Sequence, residues 1–143
     1  MEISDVLSNG FESINWLSVV IATLVTFVIG GIWYHERVLG TKWMNAVGLK
    51  KRDIENANMV KVFGISFVLS FLSAVFLAIF SSVFQIKDPV DGGLFGALIG
   101  AFFIVTSLGT QYTFAQRSFE LFAIDASYIL ITFAIMGSVI GAW

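Results

Sequence analysis

Four stretches of this chain run for more than twenty residues with almost no charge. Residues 13–34, 62–86 and 92–116 carry none, and 121–143 carries only Asp125. A helix rises about 1.5 Å per residue, so about 20 apolar residues cross the roughly 30 Å of hydrocarbon in a bilayer. Four such runs within 143 residues leave little polar chain to cover a water-facing surface, and a small domain exposes much of its area. Charged residues make up 13% of the chain, about half the share of an ordinary soluble domain. The mean hydropathy is +0.89. The expected fold is therefore all-α and polytopic, a single transmembrane four-helix domain over 1–143. Its helices are expected at about 14–34, 61–86, 89–116 and 119–143.

The ends of the runs carry local signals. Residues 1–12 hold Glu2, Asp5 and Glu12 but no Lys or Arg. A secretory signal wants a basic start and a short apolar core. The first run is longer than that and ends in Trp33 and Tyr34, so it reads as a retained membrane helix. Asp88 is a good N-cap, Pro89 suits the first helical position and Asp91 places negative charge in the first turn. The third helix is thus expected to start at Pro89. Ser118 and Glu120 play the same parts for the fourth, after a tight hairpin near 116–118. In the 36–58 loop, Leu39, Trp43, Met44 and Val47 recur at helical spacing, which predicts a short helix lying in the interface. A loop that packs on the protein is the alternative.

Orientation follows from the basic residues. Segment 36–61 holds six of the eight, Arg37, Lys42, Lys50, Lys51, Arg52 and Lys61, and Arg117 sits in the third connection. Cytoplasmic loops carry the excess of Lys and Arg, and Trp and Tyr collect at both interfaces. The 36–61 loop is therefore expected in the cytoplasm and both termini outside. Trp16 and Trp143 would then mark the outer interface, and Trp33, Tyr34 and Trp43 the inner one.

Membrane helices associate mainly through close packing of small residues. Ser66, Ser70, Ala74, Ala78 and Ser82 recur every fourth position in the second run. Gly92, Gly96 and Gly100 do so in the third, and Gly137 and Gly141 in the fourth. Gly30 and Gly31 lie in the first. These stripes suit packing within a four-helix bundle. They also suit a seam between copies of a homo-oligomer, for which the start of the third helix is the first choice.

An ionisable side chain inside a membrane is costly and is a functional candidate by default. Asp125 is the one such residue in a run. Tyr128 and Thr132 share its helix face, and Thr110 and Gln111, with Thr106, Ser107 and Thr113, make the end of the third helix polar. These faces are expected to meet in a polar site for an ion, proton or small solute, with His35, Glu36 and Arg37 closing it from the side. The structural alternative has Asp125 satisfied by the helix dipole, Arg117 or nearby hydroxyls.

Other chemistry is excluded by residue type. With no cysteine and one histidine, His35, thiolate chemistry and a zinc site are not expected. There is no Ser-His-Asp set, no carboxylate pair at useful spacing and no phosphate-binding glycine loop, so no cofactor is expected. A net charge of −2 offers no field for nucleic acid.

Three segments carry a resemblance across the whole chain. They are Ile14-Asn15-Trp16; Gly31-Ile32-Trp33-Tyr34 with Leu39-Gly40 and Trp43-Met44; and Ile124-Asp125-Ala126-Ser127-Tyr128 with Met136-Gly137 and Gly141-Ala142-Trp143. In order and spacing they resemble a bacterial family, domain-of-unknown-function family 1761. The resemblance implies a small multi-pass inner-membrane protein of four helices, and no activity, substrate or catalytic residue. Family members often carry a Tyr-Ser-Pro-like stretch where this chain has Tyr34-His35-Glu36, which sets His35 apart from any family ligand.

The function expected from these features is that of a non-catalytic membrane component. It would work through self-association or a membrane partner, with the lipid bilayer as its surroundings and no assigned ligand. The alternative is a small channel or carrier with a cytoplasm-facing polar site around Asp125. The absence of native cysteine makes orientation directly measurable. A single cysteine appended after Trp143 is expected to react with a membrane-impermeant thiol reagent in intact cells; labelling only after permeabilisation would reverse the orientation.

Overall fold

A computed structural model describes residues 2–143, all of them in helices or the turns between helices. In chain order they form α1 (Ile3–Glu12), α2 (Trp16–Trp33), a π-helical turn (Glu36–Gly40) leading into α3 (Thr41–Val47), and α4 (Lys51–Glu55). Then come α5 (Met59–Val83), α6 (Pro89–Phe114) and α7 (Phe119–Gly141). Four of them, α2, α5, α6 and α7, are long and apolar enough to span a membrane.

Capping groups set the boundaries. Asn15 Oδ1 accepts from the backbone N–H of Leu17 at 3.0 Å and of Ser18 at 3.2 Å, which starts α2 at Trp16 rather than 14. Asn58 Oδ1 accepts from Lys61 N at 3.0 Å, moving the start of α5 back to Met59. Asp88 accepts from Val90 and Asp91, and Ser118 from Leu121, as their sequence positions predict. Two glutamines stop helices early. Gln85 (φ 57°) and Gln116 (φ 53°) are left-handed, and just beyond them Ile86 N and Arg117 N donate back to Ser81 and Tyr112 carbonyls at 2.9 Å. This left-handed closure is the usual way a helix ends.

The short helix expected in the 36–58 segment is α3, with the π-helical turn before it and α4 after it. Gly48, with φ 85°, breaks α3 from α4, a conformation open to glycine at no steric cost. α1 was not foreseen in the sequence. Ile3, Leu7 and Phe11 succeed one another at fourth positions along it, while Glu2, Asp5 and Glu12 occupy other faces. Its Gly10 lies against Ile79 of α5, where an added Cβ would press on the Ile79 side chain.

The tightest contact in the molecule is between α6 and α7. A Cβ on Gly92 would overlap the carbonyl of Gly137, and one on Gly96 the carbonyl of Phe133. Reciprocally, Gly137 faces the carbonyl of Gly92 and Gly141 that of Asp88. Gly100 is looser, against the Phe133 side chain. The stripe favoured in sequence as a seam between copies is therefore occupied within the chain, because its backbone is already pressed against another backbone.

The buried core sits toward the end of the bundle that holds both termini. It is built from Val19 and Ala22 of α2, Ala74, Val75, Leu77, Ala78 and Ile79 of α5, and Met136 and Ile140 of α7. Ala74 and Ala78 of the second stripe are buried there, Ser70 is half-buried and Ser66 is exposed. Toward the opposite end α5 leaves the bundle. Residues 59–69 are all exposed, a Cβ on Gly64 would touch nothing, and aromatic contact is limited to Phe27 of α2 against Phe63 and Phe67.

Gly96→Leu is expected to destabilise the chain by about 2 kcal/mol or more through overpacking, read as a lower unfolding midpoint in detergent. Gly64→Ala should match or slightly exceed the parent, since helix propensity rises with no clash. Equal tolerance of both changes would deny the α6–α7 contact its central place.

Candidate functional site

α7 carries Asp125 in its second turn, about 9 Å of helix rise from the helix start. The side chain is half-buried and faces both the end of α2 and the last turns of α6. Its Oδ1 accepts a hydrogen bond from the Tyr34 hydroxyl at 2.7 Å, and Oδ2 accepts one from the Tyr112 hydroxyl at 2.7 Å. One residue earlier on each side, Trp33 Nε1 donates to the carbonyl of Ile124 at 3.1 Å. The dipeptide Trp33-Tyr34 therefore docks on the dipeptide Ile124-Asp125, and Tyr112 closes the third side.

Aromatic packing fixes these phenols. The Tyr34 ring stands edge-on to Trp43, with centroids 5.4 Å apart, and to Tyr128 at 5.1 Å. Tyr128 in turn donates to the Thr26 carbonyl at 3.3 Å, and Gly30 leaves room for it, since a Cβ there would come within 3.3 Å of the phenol oxygen. Below Tyr34, a Cβ on Gly40 would collide with the Tyr34 carbonyl, so only glycine lets the chain turn so sharply after α2. Arg117 Nη1 reaches the carbonyl of Val47 at 3.4 Å, tying the hairpin to α3.

Of the residues expected at this site, Asp125 and Tyr128 stand together, joined through Tyr34 rather than directly. Thr132, one turn further along α7, is buried and its Oγ1 has no partner. Thr110 and Gln111 are exposed and point away. Thr110 returns its hydroxyl to the Thr106 carbonyl at 3.0 Å, and Thr106 and Thr113 likewise bond to carbonyls four residues back. His35, Glu36 and Arg37 do not close the site. His35 Nδ1 accepts from Arg37 N at 3.2 Å. Glu36 pairs with Lys51 at 3.1 Å and raises that ammonium above its ordinary pKa, an exposed pair of little consequence for stability.

Tyr34, Tyr112 and Trp33 are the site residues that sequence reasoning left out. The reason for Tyr112 is specific. At 3.6 residues per turn, a face running through Gly96 and Gly100 continues near 104, 107 and 111, which puts Gln111 toward α7. Residues Gly100–Val105 form a π-helical turn instead. The wider turn takes in an extra residue and rotates the remainder of the helix, so Leu108 and Tyr112 face inward while Ser107 and Gln111 face out.

Chemically the cluster is one carboxyl group holding two phenols. Among the described residues no group of three His, Cys, Asp or Glu is placed to hold a metal ion. The two hydrogen bonds join three spans at the end where α5 contributes nothing.

The sequence model of a family described as "Protein of unknown function (DUF1761)" matches residues 17–141. No curated protein and no solved structure matches the chain significantly.

A hydrogen bond between buried side chains and a carboxyl group is worth about 1–3 kcal/mol. Tyr34→Phe and Tyr112→Phe are each expected to lower unfolding free energy in mixed micelles by an amount in that range. In an Asp125→Ala background the same changes should cost far less. Fully additive losses would mean that the phenols act independently of Asp125.

Proposed function

The chain belongs to the family described as "Protein of unknown function (DUF1761)", and we propose that it serves as a non-catalytic component of a bacterial inner membrane, acting by association with a second copy of itself. The observation that carries this reading is the free half of α5. Residues 59–69 are all exposed, their aromatic contacts with another helix are those of Phe63 and Phe67 with Phe27, and both Gly64 of α5 and Gly31 of α2 face open space. In lipid, hydrophobicity gives a helix no reason to seek a neighbour, whereas a small-residue surface lets another helix approach closely and gain dispersion contacts.

The orientation we propose sets the 36–61 segment in the cytoplasm and both termini outside. It is supported by seven of the eight basic residues, six in 36–61 and Arg117, lying at one end of the bundle. The Asp125 cluster reads as a brace that holds α2, α6 and α7 together. A channel or carrier reading draws less support from it, because both carboxyl oxygens already accept hydrogen bonds from phenols.

Self-association is testable with single cysteines introduced along α5. Oxidation in native membranes is expected to trap a dimer from Val60→Cys or Gly64→Cys. Leu98→Cys, on the exposed side of α6, should stay monomeric. Monomer alone at every α5 position would defeat the proposal.

A further inference from the structure

At the end of the bundle that holds the termini, a recess of about 340 Å³ opens between α2, α5 and α7, roofed by the turn after α1. Its lining is rich in hydrogen-bonding groups, chiefly Ser13, Asn15, Ser81, Gln85 and Lys87. Ser13 and Ser82 share a hydroxyl hydrogen bond of 2.5 Å across the α1–α5 junction. Ser81 is different. It is 2% exposed, it lines the recess, and its Oγ has no partner. A buried hydroxyl is rarely left unpaired in a folded protein, so this one marks a place for a polar group from elsewhere.

Charge narrows the chemistry. Lys87 is the one basic residue at this end of the bundle, and among the described residues it forms no ion pair. No carboxylate side chain lines the recess. Around it, however, the same end bears Glu2, Asp5, Glu12, Asp88 and Asp91. A simple anion would gain Lys87 but meet the acidic residues of this end, while a cation would find no carboxylate side chain inside. A group with a phosphate for Lys87 and the serine hydroxyls, and an ammonium turned toward the acidic rim, satisfies both. Trp16 and Trp143 belong to this end, where such side chains mark headgroup depth.

We propose that this recess binds the zwitterionic headgroup of a phospholipid, its phosphate held by Lys87 and Ser81. The site lies at the opposite end from the Asp125 cluster and does not depend on self-association.

The full chain, purified in detergent, tests this by native mass spectrometry and thermal unfolding with added palmitoyl-oleoyl phosphatidylethanolamine, phosphatidylglycerol or soluble phosphoethanolamine. Phosphatidylethanolamine is expected to bind saturably and to raise the unfolding midpoint. Lys87→Gln should weaken that binding by about tenfold or more. Ser81→Ala, which removes only a hydroxyl, should weaken it several-fold while the apo-protein stays folded. Lys61→Gln, at the other end of the chain's spans, should change nothing. Equally tight, Lys87-dependent binding of soluble phosphoethanolamine would support the headgroup chemistry and place its source in solution. Equal affinity for phosphatidylglycerol, indifference to Lys87→Gln and Ser81→Ala, or no saturable binding would each overturn the proposal.

Discussion

Backbone-to-backbone contact between α6 and α7 is what the rest of the arrangement depends on. Inside lipid no hydrophobic force draws helices together, so a stable pair must come from close packing and the short-range attractions it allows. Gly92 and Gly96 against Gly137 and Gly141 supply that, because no Cβ stands between the two backbones. Approaches this near also bring Cα–H groups against facing carbonyls, each worth about 0.5–1 kcal/mol. The tight hairpin of Arg117 and Ser118 makes the pairing local in sequence, which lowers the entropy of closing it.

On that pair the other spans are hung by different means. α2 is pinned at one end by Trp33 and Tyr34, which bond Ile124 and Asp125, and along its length by Val19 and Ala22 in the core. Asp125 is tolerated inside a span because each oxygen receives a phenol hydrogen bond, and a fully satisfied buried polar group specifies geometry rather than opposing it. The segments that carry the family resemblance, Gly31 to Tyr34 and Ile124 to Tyr128, are thus two halves of one contact. α5 is held by the core through Ala74 to Ile79 and is covered by α1 at Gly10.

The spans and their caps were legible in the sequence because each rests on a local rule. Apolar length gives a membrane span, Asp88 with Pro89 starts α6, and Ser118 starts α7. The carboxyl at Asp125 was legible too, since an acid in an apolar run stands out. Its partners were not. Tyr112 faces inward only because the π-helical turn at Gly100–Val105 rotates the end of α6, and nothing in the spacing of glycines and threonines announces a widened turn. Tyr34 reads as an interfacial aromatic until the chain folds back at Gly40, and that reversal depends on a close approach to the Tyr34 carbonyl that no residue pattern signals. α1 escaped because ten residues with four apolar positions, Ile3, Val6, Leu7 and Phe11, carry too short a periodic signal.

The two ends of the bundle obey opposite logic, and the free half of α5 is the consequence. A span keeps its helix without neighbours, because every backbone hydrogen bond is internal and lipid competes for none of them. Residues 59–69 can therefore stay exposed, touching α2 through Phe27, with no loss of secondary structure. What they forgo is packing density, since lipid chains fit less closely than the interior of a protein. Gly64 and Ser66 make that deficit recoverable by a second helix, where a surface of Leu and Phe alone would hold it at a distance. Meanwhile the α6–α7 glycines have no such capacity left, each already facing a carbonyl or Cα of the other helix. The proposed association would thus draw its force from the part of the chain that folding leaves unpacked, while the α6–α7 glycines are already engaged within the bundle.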